Sequence, residues 1–445
     1  MSKEIIKLSD HFTYGRLFRF TLPSIAMMIF TSIYGVVDGI FVSNYVGETP
    51  FAALNLIMPY IMVFSAAGLM FGTGGSALVA VTLGEGKKEK ANEIFSFMIY
   101  LLIGLGAFFT VVGTIFTESA ARVLGASDAM LPYCVEYARV CFLGAIPFAL
   151  QYGFQSFFIT AEKPKLGLYF TIAAGVTNMF LDWLLVGKLQ LGLTGAAMAT
   201  ILGTCVGGIL PLIYFARPNS SLLRLGRTHF SGRVLKKAAT NGSSEFMSNI
   251  AMSVVNMLYN FQLMKYAGEG GVAAYGIIMY TNFIFIGYFF GYSMGVAPVV
   301  GYHHGAGNHE ELHNVFRRSL TIILTSSVVI TGVSVALARV LALIFASKNV
   351  ELLEMTTTAI RIYSLSYLFA GVNLFGSSFF TALNNGVISA LLSFTRALLL
   401  QVIFVLTLPL IFDLYGVWMS IVMSELTAIV LTSTCLWKNR LRYHY

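Results

Sequence analysis

Twelve apolar runs, each closed by a short polar break, set the limits on what this chain can become. They occupy about residues 13–44, 50–83, 92–117, 130–160, 166–187, 193–215, 240–266, 271–303, 313–345, 355–383, 387–411 and 415–437. About 20 consecutive apolar residues cross a bilayer as a helix. Several runs are longer, so tilt or extension past the membrane surface is expected. Irregular backbone exposed to lipid would leave its polar groups unsatisfied, so each run is read as a helix. Charged residues make up 11% of the chain, against about 25% in a soluble domain, and the mean hydropathy is +0.78. The expected fold class is an all-α membrane protein with twelve transmembrane helices. Pro23, Pro59, Pro147, Pro211, Pro298 and Pro409 lie in or at the ends of runs and mark expected kinks.

The net charge of +8 fits loops facing an anionic leaflet better than a nucleic-acid patch. Twenty of the 28 Lys and Arg fall on one side, including Lys3, Lys87, Lys88, Arg233, Lys236 and Arg442. Seven, among them Arg122, Lys188 and Lys348, fall on the other, and Arg396 lies inside a span. The positive-inside rule then places both termini and the 216–237 loop in the cytoplasm, making this a multi-pass protein of the cytoplasmic membrane. The start, MSKEIIKLSDHFTYGRLFRF, is too long and mixed in charge for a signal peptide. Cys134, Cys141, Cys205 and Cys435 sit in apolar runs without a CxxC pattern and read as packing residues with free thiols.

The chain repeats itself at an offset of 221. Gly47 recurs as Gly268, Ala52 and Ala53 as Ala273 and Ala274, Gly84 and Gly86 as Gly305 and Gly307, Phe154 and Ser156 as Phe375 and Ser377, and Leu193 and Gly195 as Leu414 and Gly416. Six spans is an even number, so both halves enter the membrane from the same side. The repeat is therefore parallel, with a pseudo-twofold axis along the membrane normal. The domain reading is a six-helix lobe over 1–215, a basic linker over 216–237 held near anionic lipid, and a second six-helix lobe over 238–445. Two bundles rocking about a central site is the architecture of secondary transporters. No GxxxxGK[ST] occurs, which argues against ATP as the driving force.

The polar residues break the symmetry. Asp38 aligns with Tyr259, Asn178 with Leu399, and Asp182 with Ile403. A carboxylate in hydrocarbon costs at least ~2.5 kcal/mol, and shared packing needs would have placed acids in both lobes. At 1.5 Å per residue, Asp38 lies about 13 Å below Gly47, Asn178 and Asp182 lie about 15 and 9 Å below Lys188, and Thr200 lies about 12 Å in from Gly192. Asn178 and Asp182 are i, i+4 on one helix face. Two carboxylates, an amide and a hydroxyl thus share one height in the N-lobe. Such hard oxygen ligands suit Na⁺, and two close carboxylates would equally hold one shared proton. Either event cancels buried charge and draws the first helix toward the fifth, with Pro23 as the expected hinge. Glu245 is a candidate substrate or secondary proton site, with Tyr34, Met257 and Tyr259 beside it. Met27, Met28, Met62, Met70, Met252 and Met257, with many aromatics, suit an adaptable cavity. Arg396 and Glu425 are expected to neutralise each other, and Glu136 and Arg139 to pair at i, i+3.

Several segments together resemble the multidrug and toxic compound extrusion (MATE) transporters across essentially the whole chain. They are Pro23 with Asp38-Gly-Ile-Phe-Val, AALNLIMP, GTGGSALVAVTLGEGK, TNMFLDWLLV followed by GLTGAAMAT, and the echoes AAYGIIMY and GYHHGAGN. The resemblance implies a V-shaped pair of bundles. It also implies export of bulky cationic or amphipathic compounds in exchange for inward Na⁺ or H⁺, with no other cofactor. In similar bacterial and archaeal members, an Asp of the first helix acts with an Asn and an Asp of the fifth and a Thr of the sixth. The matching positions are Asp38, Asn178, Asp182 and Thr200. Another branch pairs an acid in the seventh helix with an Asp in the tenth; Glu245 matches the first, but YLFAGVNLFGSS carries Asn373 and no acid. Coupling is therefore placed in the N-lobe.

Two other readings make different demands on the sequence. A lipid-linked oligosaccharide flippase of the same superfamily would want a strongly cationic cavity for pyrophosphate. A membrane-embedded enzyme would want His at membrane depth, whereas all seven His fall in loops or at span ends. The expected partners are small-molecule drugs and the bilayer, with no nucleic acid, and the protein is expected to be a monomer and not an enzyme.

Overall fold

The computed structural model describes residues 6–346 and 349–445, apart from the side chains of Ser43 and Glu48. Lys3 and Lys348, used above to set orientation, lie outside the described residues. Among the described residues nine helices are long and apolar enough to cross a bilayer, and two bent helix pairs do so as units. One of the nine, Gly232–Gly305, is broken at Gly268 (φ 61°) and supplies two spans. Twelve spans result. In order they are Tyr14–Tyr45, Glu48–Gly84, Lys88–Val123, Leu131–Leu143 with Ala145–Thr160, Pro164–Lys188, Gly192–Ala216, the two halves of Gly232–Gly305, His309–Ala346, Val350–Ser364 with Tyr367–Ala382, Gly386–Thr407, and Pro409–Tyr443.

Backbone geometry bears out the internal repeat. Left-handed φ values occur at pairs 221 residues apart: Gly47 and Gly268, Gly86 and Gly307, Gly192 and Asp413. At each pair the chain turns too tightly for an ordinary L-residue, which is the reason for glycine at five of the six. The fourth and tenth spans are both bent, by 60° and 47°. The fifth ends in a wide π-helical turn, Asp182–Lys188, and the eleventh contains another, Thr395–Leu399.

The lobes form a V. One apolar core, built on Val42, Ile57, Phe64, Tyr137 and Val186, belongs to the N-lobe alone. At the other end the cores are shared. Leu17, Phe20 and Ile25 join the C-lobe cluster, while Ala238 and Tyr302 pack into the N-lobe cluster. Glycines permit this joint. A Cβ on Gly74 would lie 2.0 Å from the Ala238 carbonyl oxygen, one on Gly242 1.8 Å from that of Met70, and one on Gly84 2.0 Å from that of Tyr302. Backbone thus meets backbone, at the end that carries most of the Lys and Arg.

Two polar segments outside the spans are docked onto the lobes. The non-helical stretch between the lobes covers only 217–231, because the seventh span begins at Gly232. It lies along the third span through Arg224 N–H to Asn92 (2.7 Å), Gly226 N–H to Ser96 (2.9 Å) and Tyr100 OH to the Gly226 carbonyl (3.2 Å), with Leu223 fully buried. It is therefore no freely solvated linker. The segment before the first span is a strap across both lobes. Leu8 N–H donates to Glu162 of the N-lobe at 2.6 Å, and Phe12 N–H donates to Glu311 of the C-lobe at 2.8 Å. His11 meets the other Glu311 oxygen at 2.6 Å, and Asn314 donates to both the Phe12 carbonyl and Glu311. His303, expected at an aqueous span end, is buried beneath this strap against Phe12. Glu311→Ala leaves the buried Phe12 N–H without an acceptor, a loss of about 1–3 kcal/mol. The expected result is faster protease cleavage before residue 13 and a lower melting temperature in detergent, checked by limited proteolysis and a thermal scan.

Candidate cation and substrate sites

Small residues bring the N-lobe acids together. A Cβ on Gly175 of the fifth span would lie 2.5 Å from the Phe30 ring and 2.9 Å from the Tyr34 ring of the first. A Cβ on Gly203 of the sixth would lie 2.9 Å from that of Asn178. The fifth span is thus pressed between the other two. Because spans five and six run antiparallel, the Gly203–Asn178 contact sets Thr200, three residues back, level with Asp182, four residues on. Asp38 and Asp182 meet with their carboxyl groups in hydrogen-bonding reach. Asp182 is fully buried and Asn178 is 4% exposed. Asp38 Oδ1, both Asp182 oxygens and Asn178 Oδ1 are buried without a protein donor among the described residues. These are all acceptor atoms converging in one place, and burying them without a positive partner is costly. A proton or a hard cation fits this donor set. Thr200 is half-buried, and among the described residues no hydrogen bond ties it to the other three. The first span runs as one helix through Pro23, where the missing N–H leaves a weak point in the helical ladder.

Tyr34 belongs to this cluster and not to the substrate cavity: it neighbours Asp38 and Gln151. Gln151 and Gln155, four residues apart on the fourth span, are 4% and 3% exposed, and Gln155 has neither amide atom paired. Sequence reading passed over them, although two Gln at i, i+4 in an apolar run were the available signal.

Arg396 and Glu425 of the C-lobe neutralise each other. Arg396, in the π turn of the eleventh span, donates to Glu425 at 2.8 Å, as expected. Asn373 donates to the second Glu425 oxygen at 2.7 Å and accepts from Thr432 at 2.9 Å. The expected Glu136–Arg139 pair is not seen among the described residues. Glu136 instead accepts from Thr194 at the start of the sixth span, a closer partner across the helix interface.

Between the lobes lies a cavity of about 440 Å³. Met28 and Tyr152 of the N-lobe face Glu245, Tyr259, Arg396 and Glu425 of the C-lobe across it. Tyr259 is buried, stacks on Tyr275 at 5.0 Å and donates to Gln401 at 3.2 Å. Met252, Met279 and Met294 also line the cavity. Met257 does not: it is 65% exposed on the far face of the seventh span. Met27, Met62 and Met70 are likewise absent from the lining. Only Glu245, Arg396 and Glu425 among the lining residues are charged, so the wall carries one uncompensated carboxylate.

Two six-helix lobes around a central cavity, with a buried ionisable cluster in one lobe, are the architecture of a membrane transporter. A family model described as MatE matches residues 23–184 and again 246–407, one match per lobe, and the chain belongs to that family. It is 24% identical to the multidrug export protein MepA of Staphylococcus haemolyticus (strain JCSC1435), over 95% of this chain and 93% of that one. It is 23% identical to MepA of Staphylococcus aureus (strain NCTC 8325), over 93% and 91%. Among solved structures it is similar to a multidrug resistance MATE family transporter of the MOP superfamily in an outward-facing conformation (TM-score 0.91, 23% identity, 99% and 98% covered). It is also similar to a MATE in the bent conformation (TM-score 0.87, 23% identity, 98% and 96% covered).

Proposed function

We propose that this chain exports bulky cationic amphipathic compounds by alternating access, driven by inward movement of Na⁺ or H⁺. The observation that carries the reading is the cavity shared by both lobes, with aromatic and Met walls and one uncompensated carboxylate, Glu245. An apolar wall binds the body of an amphipathic drug, and a wall with one carboxylate in excess selects a cation over a neutral molecule. With both termini cytoplasmic, the joined ends of the lobes close the inner side and the V opens outward. In that state Asp38, Asn178, Asp182 and Thr200 would take up a cation from outside. Charge cancellation there lets the first span bend with Pro23 as hinge, which reshapes the Met28 wall of the cavity and releases the drug. The flippase reading is disfavoured by a cavity that is net negative instead of strongly cationic. No His lines the cavity, so a proton-transfer enzyme lacks its usual group there.

The deciding experiment is efflux of ethidium from vesicles carrying the purified chain, with a Na⁺ gradient or a pH gradient imposed separately. Export under one gradient names the ion. Absence of export under both overturns the reading.

A further inference from the structure

A second concave site, which shares no lining residue with the central cavity, lies at the basic end of the C-lobe. Its volume is about 390 Å³, in the range of ligand-binding pockets. Arg233, Lys236, Lys237 and Thr240 stand at i, i+3, i+4 and i+7, one face of the first turns of the seventh span, and form one wall. Arg442, from the end of the twelfth span, closes the pocket opposite. The floor is the turn 384–387, which opens the eleventh span, so that helix points its N-terminal end into the same space. No carboxylate lines the pocket, and among the described residues none of the four cations makes an ion pair. Four like charges around one cleft repel each other unless an anion sits among them.

The floor is built rigidly. Asn241 donates to Asn384 at 2.5 Å, Asn385 donates to Tyr443 at 2.8 Å, and Thr381 donates to the Asn241 carbonyl at 3.2 Å. A Cβ on Gly386 would lie 2.2 Å from the Thr240 carbonyl oxygen, so the seventh span and the turn touch backbone to backbone. One wall is apolar. Val387 lines the rim at 70% exposure, and Leu391, one turn deeper on the same helix, is 49% exposed. Cations at the mouth and an apolar track running down into the bilayer match an amphiphile with an anionic head.

We propose that this pocket binds a phosphate ester, supplied by an anionic phospholipid whose headgroup sits among Arg233, Lys236, Lys237 and Arg442 while its chain follows Val387 and Leu391. Occupancy ties the start of the seventh span, the 384–387 turn and the end of the twelfth span together. The lipid source rests on reading this end as lying at the membrane surface; the phosphate chemistry does not.

The test uses the full-length chain in phosphatidylcholine nanodiscs with and without phosphatidylglycerol, reading retained lipid by native mass spectrometry. The triple variant Lys236→Gln, Lys237→Gln, Arg442→Gln is expected to lose phosphatidylglycerol retention by roughly tenfold or more. A control with the same charge removed elsewhere, Lys87→Gln, Lys88→Gln, Lys90→Gln, is expected to retain it. Equal loss in both variants reduces the effect to general surface charge and overturns the site. Displacement of the lipid by millimolar inorganic phosphate overturns the lipid assignment in favour of a soluble phosphate. All six exchanged side chains are exposed, so the melting temperature in pure phosphatidylcholine is expected to stay unchanged in both variants.

Discussion

Asp38→Asn is expected to abolish gradient-driven export while leaving the chain folded and inserted. The amide is nearly the size of the carboxyl, so packing against the fifth span survives. It neither takes up a proton at ordinary pH nor carries the charge that would hold Na⁺. Asp182 is then left with half the site. Ethidium efflux from vesicles should fall to the level of empty vesicles, and drug tolerance in cells should fall with it. A second measurement separates lost coupling from lost fold. A ligand at a hundred times its dissociation constant stabilises by about 2.7 kcal/mol. The wild type should therefore melt at a higher temperature with the coupling cation present, and Asp38→Asn should show no such shift. Full export by the variant would remove Asp38, and the cluster with it, from the mechanism.

The second large effect is expected from Gly242→Val. The seventh and second spans meet there with the Cβ position 1.8 Å from the Met70 carbonyl oxygen, a main-chain atom that cannot swing away as a side-chain tip does. The lobes must separate by more than an ångström at their joined end. Overpacking of this kind costs about 1–3 kcal/mol or more, which is enough to move a two-state equilibrium by about 5- to 150-fold. Spin labels at Lys88→Cys and Glu310→Cys, both exposed and one in each lobe, report the separation once Cys134, Cys141, Cys205 and Cys435 are replaced. The distance distribution should move to longer values, and export should fall at least about tenfold. An unchanged distribution would show that the close approach does not hold the lobes together.

The spans were legible because hydrocarbon imposes a long apolar run on each one, and because a parallel repeat copies its landmarks. Gly47 and Gly268 are matched in the sequence and share the same left-handed turn in the structure. Asp38, Asp182, Arg396 and Glu425 stood out for a related reason: a charge inside such a run has few explanations. The bends were less visible. In the apolar stretch over 130–160, Pro147 marks a kink but does not say that the chain turns by as much as 60° around Gly144. The strap was invisible, since its partners lie 154 and 299 residues away and leave no local pattern. Glu136 shows the limit of spacing rules. Arg139 stands at a permitted distance along the helix, yet Thr194 on the neighbouring helix takes the bond. Met257 shows the same for composition, since a Met in the seventh span does not reveal which face it occupies.

The wide turn at Asp182–Lys188 has a geometric result of its own. It holds one residue more per turn than the regular helix before it, and one residue corresponds to about 100° of rotation. The acid's bearing around the helix axis is thereby uncoupled from its depth in the membrane. Deleting a single residue after Asp182 would restore even winding and swing everything beyond it by that angle, including the Lys188 anchor and the hairpin into the sixth helix. The bulge acts as a vernier, aiming one carboxyl at its opposite number while the outer rim of the lobe keeps its place.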